Sequence, residues 1–252
     1  MGRLAAHIND AGITLLDSER IIYREPGFAL LENNELTTGN SAFAKARINP
    51  RNIQHRYWSC LDSEPIADRR FSYLTAADLA GRQLEQMIAA AGRRDIEIIL
   101  AVPSYMGVPN LALLLGIAAE LRLTVVGLVD AAVAATRREY RNAVPVHIDI
   151  SLHSASLTRL AQAGQVQVEK SELLEDCGVY VLYDAWIRAI AGEFVKQSRF
   201  DPLHTAETEQ LLLNRLGGWL SRAAGQDRVD MTLEYGGATY TAGMESLALI
   251  AH

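Results

Sequence analysis

Ile98-Ile99-Leu100-Ala101-Val102-Pro103, a segment from Leu111 to Leu121, Thr124-Val125-Val126-Gly127-Leu128-Val129-Asp130 and the small-residue run Ala131 to Ala135 together decide the fold. The first and third pieces are short apolar runs rich in β-branched residues, so they read as strands. The second and fourth read as helices. Two strands separated by a helix imply a parallel pair with a crossover, and hence an α/β sheet. Because both runs are apolar throughout rather than alternating, both faces are expected to be covered by helices. Val146-His147-Ile148-Asp149-Ile150-Ser151 follows as a further strand that ends beside an acid.

Upstream, Leu4 to Ile8, Ile13 to Leu16 and Ile21 to Leu31 read as a meander, with turn residues at Asn9-Asp10-Ala11-Gly12 and Asp17-Ser18-Glu19-Arg20. Pro26-Gly27 predicts a bend or bulge inside the third strand. Ser41 to Arg47 predicts a helix, followed by an irregular stretch through Asp68. Thr75 is a candidate N-cap for a helix with apolar positions at Leu79, Leu84, Met87 and Ile88. Downstream, Val144 to Ile150, Ser154 to Leu160 and Val166 to Val168 read as a second meander with a tight turn at Ala163-Gly164. Helices from about Gly178 to Gln197 and about Thr205 to Arg222 come next. A hairpin from Val229 to Leu233 and Ala238 to Thr241, turning at Tyr235-Gly236-Gly237, follows them.

A meander, a helix and two strand–helix units are thus followed by a second meander and two helices. The expectation is an α/β chain with an internal duplication, one lobe over residues 1–140 and an incomplete one over 141–252. The second copy stops before its own strand–helix pair, as a truncated or naturally shortened form would.

The 252 residues are 49% hydrophobic and 21% charged, with a net charge of -6. That is an ordinary globular composition. It contains no basic run of the kind a nucleic-acid surface needs. Arg69-Arg70, Arg93-Arg94 and Arg137-Arg138 each fall near a helix end and read as solvated faces. Cys60 and Cys177 form no CxxC, which argues against a disulfide scaffold or zinc ribbon and fits a cytoplasmic protein. No signal peptide and no membrane span are expected, since the longest apolar run, Leu111 to Ala119, is too short. The histidines show no metal-ligand spacing, so no metal site is predicted from them. Ser104 lacks the Gly-x-Ser-x-Gly surroundings of a hydrolase nucleophile, and Trp58, Trp186 and Trp219 read as packing residues.

The order of elements resembles the actin-like ATPase superfamily, with DnaK-type heat-shock chaperones and MreB among its members, over about Leu4 to Leu249. Ile21-Ile22-Tyr23-Arg24-Glu25-Pro26 is similar to the MreB segment ending in Asn-Glu-Pro. Thr38-Gly39-Asn40-Ser41-Ala42-Phe43-Ala44 with Asn49-Pro50-Arg51-Asn52 resembles the G-x-x-A … x-P-x-N stretch of MreB and the chaperones. Ala101-Val102-Pro103-Ser104-Tyr105 resembles their x-V-P-[SA]-x strand end. The resemblance implies a duplicated ribonuclease-H-like fold in two lobes, ATP and Mg²⁺ as cofactors, and protein partners or self-association.

In that family two Gly-rich turns face each other, and their backbone N–H groups hold the phosphates while aspartates organise Mg²⁺. The resemblance puts the second turn on Asp149-Ile150-Ser151-Leu152-His153-Ser154. Asp149 and the Ser154 hydroxyl match, and Ser151, Leu152 and His153 replace three glycines. The same residues also read as a plain hairpin in which Asp149 is structural. Asp10-Ala11-Gly12-Ile13-Thr14 resembles the first turn, Asp-x-Gly-[TS]-[TNS]. An ungapped count back from Glu25-Pro26 puts the family aspartate on Ala6 instead, and both registers stay open. Asp130-Ala131-Ala132-Val133-Ala134-Ala135 is similar to the family's Glu-Pro-[TM]-Ala-Ala-Ala, which implies that Asp130 orients the attacking water. Asp130 is also placed to cap the helix that follows.

The resemblance therefore nominates Asp130 as catalytic, and Asp149, Ser151, Ser154, Asp10, Gly12 and Thr14 as nucleotide-binding. Gly178 keeps one glycine of the chaperone Gly-Gly-Glu-Asp turn. Along the adenine-flanking helix only Ser221 matches, with Asn214, Gly217 and Gly218 at charged positions. Each lost charge-assisted hydrogen bond is worth roughly 1.5–3 kcal/mol, so two or three losses take micromolar binding to millimolar. The expected function is a scaffold, regulatory or protein-interaction module with weak or no ATP binding. The rival is a chaperone-type ATPase with a variant pocket.

Overall fold

A computed structural model describes residues 3–33, 35–92 and 96–251. They form two compact units, one within Met1–Phe43 and Asn52–Val179, the other within Ala44–Arg51 and Tyr180–His252. Arg93, Arg94 and His252 lie outside the described residues.

In the first unit β1 (Leu4–His7), β2 (Ile13–Asp17) and β3 (Arg20–Glu25) make an antiparallel meander. The chain then bends at Pro26-Gly27, as that dipeptide predicts. It does not resume the same strand: β4 (Ala29–Glu32) pairs with β5 (Glu35–Thr38) and β6 (Ile53–Gln54) in a separate small sheet. α1 (Asn40–Phe43) is shorter than the helix expected over Ser41 to Arg47. α2 (Ala76–Ala90) starts at a reciprocal cap, in which Thr75 Oγ1 accepts the Asp78 N–H and Asp78 accepts the Thr75 N–H at 2.8 Å. β7 (Glu97–Val102), α3 (Val108–Glu120), β8 (Thr124–Asp130) and α4 (Ala131–Ala135) complete the alternation.

The main sheet has the order β3-β2-β1-β7-β8, antiparallel through the meander and parallel from β1 to β7 to β8. The fold is therefore mixed α/β, with the parallel strands where the apolar runs put them. Leu4, Ile8, Ile13, Leu15, Ile98 and Leu100 from the sheet are buried with Leu79, Leu84 and Met87 of α2 in one cluster. Full coverage of both faces holds less well for β8. It is an edge strand, and Val126 and Leu128 stay exposed.

A three-stranded antiparallel sheet of β9 (Val146–Ile150), β10 (Ser154–Ala163) and β11 (Gln165–Glu175) closes the first unit. β11 runs well past the expected Val168. Its residues are almost all exposed, so no apolar alternation marks its length.

The second unit holds α5 (Val179–Ser198) from Tyr180 onward, α6 (Ala206–Ala223), a hairpin of β12 (Arg228–Tyr235) and β13 (Ala238–Glu245), and α7 (Ser246–Ile250). α6 packs on β12, with Leu212, Leu216 and Trp219 of the helix and the inward Val229, Met231 and Leu233 of the strand all buried. Arg47 docks its loop by pairing with Asp184 and with Glu209 at 3.3 Å, while its N–H donates to Gln210 Oε1 at 2.7 Å. Among the described residues no helix is long and apolar enough to cross a membrane.

Candidate functional site

Two turns of the first unit meet. The first, Asn9 to Gly12, connects β1 to β2. Gly12 N–H donates to the Asn9 carbonyl at 2.9 Å, and Asn9 Oδ1 accepts the Ala11 N–H at 2.9 Å, an Asx turn. Thr14 Oγ1 donates to the Gly12 carbonyl at 2.8 Å. Gly12 and Thr14 thus brace this turn from within. Ala6, the alternative register, lies buried in the interior of β1 rather than in the turn. The bend at Gly27 packs directly on Asp10: Gly27 N–H donates to the Asp10 carbonyl at 2.7 Å, and a Cβ on residue 27 would come within 2.9 Å of Asp10 Cβ and of Trp58.

The second turn, Ser151 to Ser154, joins β9 to β10. Ser151 Oγ lies 2.8 Å from both the carbonyl and the hydroxyl of Ser154, and Ser151 N–H donates to the Ser154 carbonyl at 2.9 Å. Leu152 is fully buried and His153 nearly so. Gly178 packs on this turn so tightly that a Cβ would strike the Leu152 carbonyl and the His153 backbone, and Val179 N–H donates to the Ser151 carbonyl at 3.0 Å. Glycine at 178 therefore has a packing reason.

The turns are tied by acids. Asp10 is 1% exposed, and its Oδ1 accepts the Leu152 N–H at 2.6 Å. Its Oδ2 is buried and has no hydrogen-bond partner among the described residues. Burial pushes its pKa up to about 6, with the neighbouring Asp149 charge adding to the shift. Asp149 Oδ1 accepts from Asn9 Nδ2 at 2.7 Å, and Asn9 also donates to the Ile150 carbonyl at 3.1 Å. His7 Nε2 approaches Asp149 Oδ2 at 3.9 Å, yet burial holds the His7 pKa below its ordinary value against that attraction. The same burial raises Tyr105, which feels both carboxylates.

Beside the second turn His153 stacks on His55 with ring centroids 4.8 Å apart. His153 Nε2 is 2.8 Å from the His55 carbonyl, which can only accept, so that nitrogen carries the proton. Burial lowers the His153 pKa from its ordinary value.

Of the nominated residues, Asp10, Asp149, Ser151 and Ser154 come together, and Gly12 and Thr14 shape the first turn. Asp130 stands apart from them. Its Oδ1 accepts the Ala132 N–H at 2.8 Å as the N-cap of α4, and no hydrogen bond among the described residues links it to the Asp10–Asp149 pair. Asn9, His7 and His55 were not nominated. Asn9 reads locally as a turn former, and nothing in its neighbourhood announces a partner 140 residues away.

The donor set does not suit a phosphate. The Leu152 N–H is already taken by a carboxylate, and Ser151 and Ser154 satisfy one another. A second anion placed at Asp10 would also meet like charge at short range. No protein-family model matches the chain, and no curated protein is significantly similar to it.

Proposed function

We propose that the chain is a degenerate member of the actin-like ATPase superfamily, with a duplicated ribonuclease-H-like fold. In this reading it serves as a scaffold, regulatory or protein-interaction module that binds ATP weakly or not at all. The strand order β3-β2-β1-β7-β8, a meander continued by two parallel strands, supports the fold part of the reading. One observation carries the functional part: the carboxylate of Asp10 accepts the Leu152 N–H, so the turn donates to an internal anion instead of a phosphate. Calorimetric titration of Mg-ATP and Mg-ADP tests it. The expected result is no binding tighter than millimolar, and micromolar binding would overturn the reading.

A second reading, a working chaperone-type ATPase with a variant pocket, is favoured by Asp10 Oδ2, buried with no hydrogen-bond partner among the described residues, and by the Asp149 charge that Asp10 feels, since a cation could satisfy both acids. It requires turnover that Asp149→Ala and Asp130→Ala each abolish while the thermal melt still shows a folded chain. Turnover that survives both substitutions counts against it.

A further inference from the structure

β9 is the outer strand of its sheet, paired on one side to β10 alone. Ser151 N–H bonds to the Ser154 carbonyl and Leu160 N–H to the Pro145 carbonyl. The odd-numbered residues therefore face β10, and Val144, Val146 and Ile148 turn their N–H and C=O groups to the open edge. Their side chains are 60%, 54% and 62% exposed, a row of bare aliphatic groups along a strand edge. Natural sheets blunt such edges with charge, proline or a bulge, and this one carries none from Val146 to Ile148. At Ile150 the edge ends, because Asn9 donates to its carbonyl.

Two cavities open at the free end of that edge. One of about 320 Å³, sized for one large side chain, has an aliphatic wall of Ala135, Val144, Val146 and Leu160 and a polar one of Thr136, Tyr140 and His147. The other, about 390 Å³, shares Thr136 with it and is lined by Arg137, Arg138 and Glu139. The loop that carries them is held in place: Tyr140 N–H donates to Gln162 Oε1, and Gln162 Nε2 donates to the Arg138 carbonyl, both at 2.9 Å. Arg137, Arg138 and Arg141 are exposed and make no ion pair among the described residues, although the chain is acidic overall.

We infer that the β9 edge is a docking site for an extended acidic peptide segment of a partner protein, which adds as a strand along Val144 to Ile148. Main-chain hydrogen bonds supply affinity. Every second side chain of the added strand lies on the pocket side, so one large apolar residue fills the 320 Å³ cavity. Acidic residues beyond it meet the three arginines, one of them (Arg138) held over the Tyr140 ring at 5.0 Å, whose positive charge selects for an anionic segment. The inference rests on reading the chain as an interaction module, and it names the surface and the chemistry of what it binds.

The test is selection of a displayed random dodecapeptide library on the purified, nucleotide-free chain, followed by fluorescence polarisation with the enriched peptides. Enrichment of acidic sequences containing a large apolar residue is expected. Their affinity should fall at least about tenfold in Ile148→Pro, which deletes an outward N–H that β10 does not use. A similar loss is expected in the Arg138→Glu/Arg141→Glu double variant, whose exposed positions leave folding intact even if the proline variant misfolds. The inference is overturned by three outcomes: no enriched family, peptides that bind the arginine variant as well as the parent, or a concentration-dependent dimer that Ile148→Pro dissolves, which would give the edge to a second copy. The Mg-ATP titration reads the Asp10 and Ser151 turns and this selection reads residues 136–148, so either can fail without the other.

Discussion

Asp10 concentrates the energetic tension of this molecule in one side chain. Its carboxyl is buried, accepts one backbone N–H, leaves one oxygen orphaned and sits beside Asp149. A carboxyl whose folded pKa is raised from 3.8 to about 6 binds a proton more tightly in the folded chain. Its contribution is therefore most favourable below the unfolded pKa and is lost as pH rises through about 6, a swing on the order of 3 kcal/mol. His7 and His153, both lowered by burial, act in the opposite sense as pH falls below their ordinary range. The clean measurement is thus a difference. Asp10→Asn keeps an acceptor for the Leu152 N–H and cannot ionise, so its stability gain over the parent should be large at pH 7.5 and much smaller at pH 4.5. Urea melts at the two pH values check this, and an unchanged difference between them refutes the buried-charge account. The Asp10 turn was legible as a turn from Asn9-Asp10-Ala11-Gly12. Its junction with Leu152 was not, because 142 residues separate the partners and only folding brings them together.

Among the elements, those with strong local rules were the legible ones. α2 begins where Thr75, read as its N-cap, predicts, and the structure adds Asp78 as the reciprocal partner three residues on. Thr75→Ala should cost about 1 kcal/mol in chemical denaturation, and no loss would mean that α2 is held by packing alone. Gly236 and Gly237, both at positive φ, mark the hairpin between β12 and β13 as their pairing predicts. Elements without such rules escaped. β5 (Glu35–Thr38) is a four-residue polar strand that forms because β4 offers it an edge. The outer half of β11 carries charges on both faces and is a strand by its pairing with β10. The helix expected through Arg47 stops at Phe43, and Arg47 instead bonds to Asp184, Glu209 and Gln210, partners far along the chain.

At the level of the whole molecule each unit has its own core. Phe194 is fully buried in the second unit, its ring 6.3 Å from that of Trp219, while Leu4, Ile98 and Leu84 belong to the first. Phe194→Ala should remove about 3–5 kcal/mol from the second unit. Hydrogen exchange should then accelerate through α6 and β12–β13 while β1 and β7 keep their protection; equal acceleration everywhere would mean that the units unfold as one. The sequence by itself determined the α/β class, the parallel β7–β8 pair, the caps and the tight turns, because periodicity, capping and turn chemistry act over a few residues. Only the tertiary structure decided that a carboxylate fills the Leu152 N–H, that Asn9 reaches Asp149, and that Val144 to Ile148 form an open edge beside Arg137, Arg138 and Arg141. Those features depend on which distant segments become neighbours, and on which edges the packing leaves uncovered, and neither is written in any local pattern.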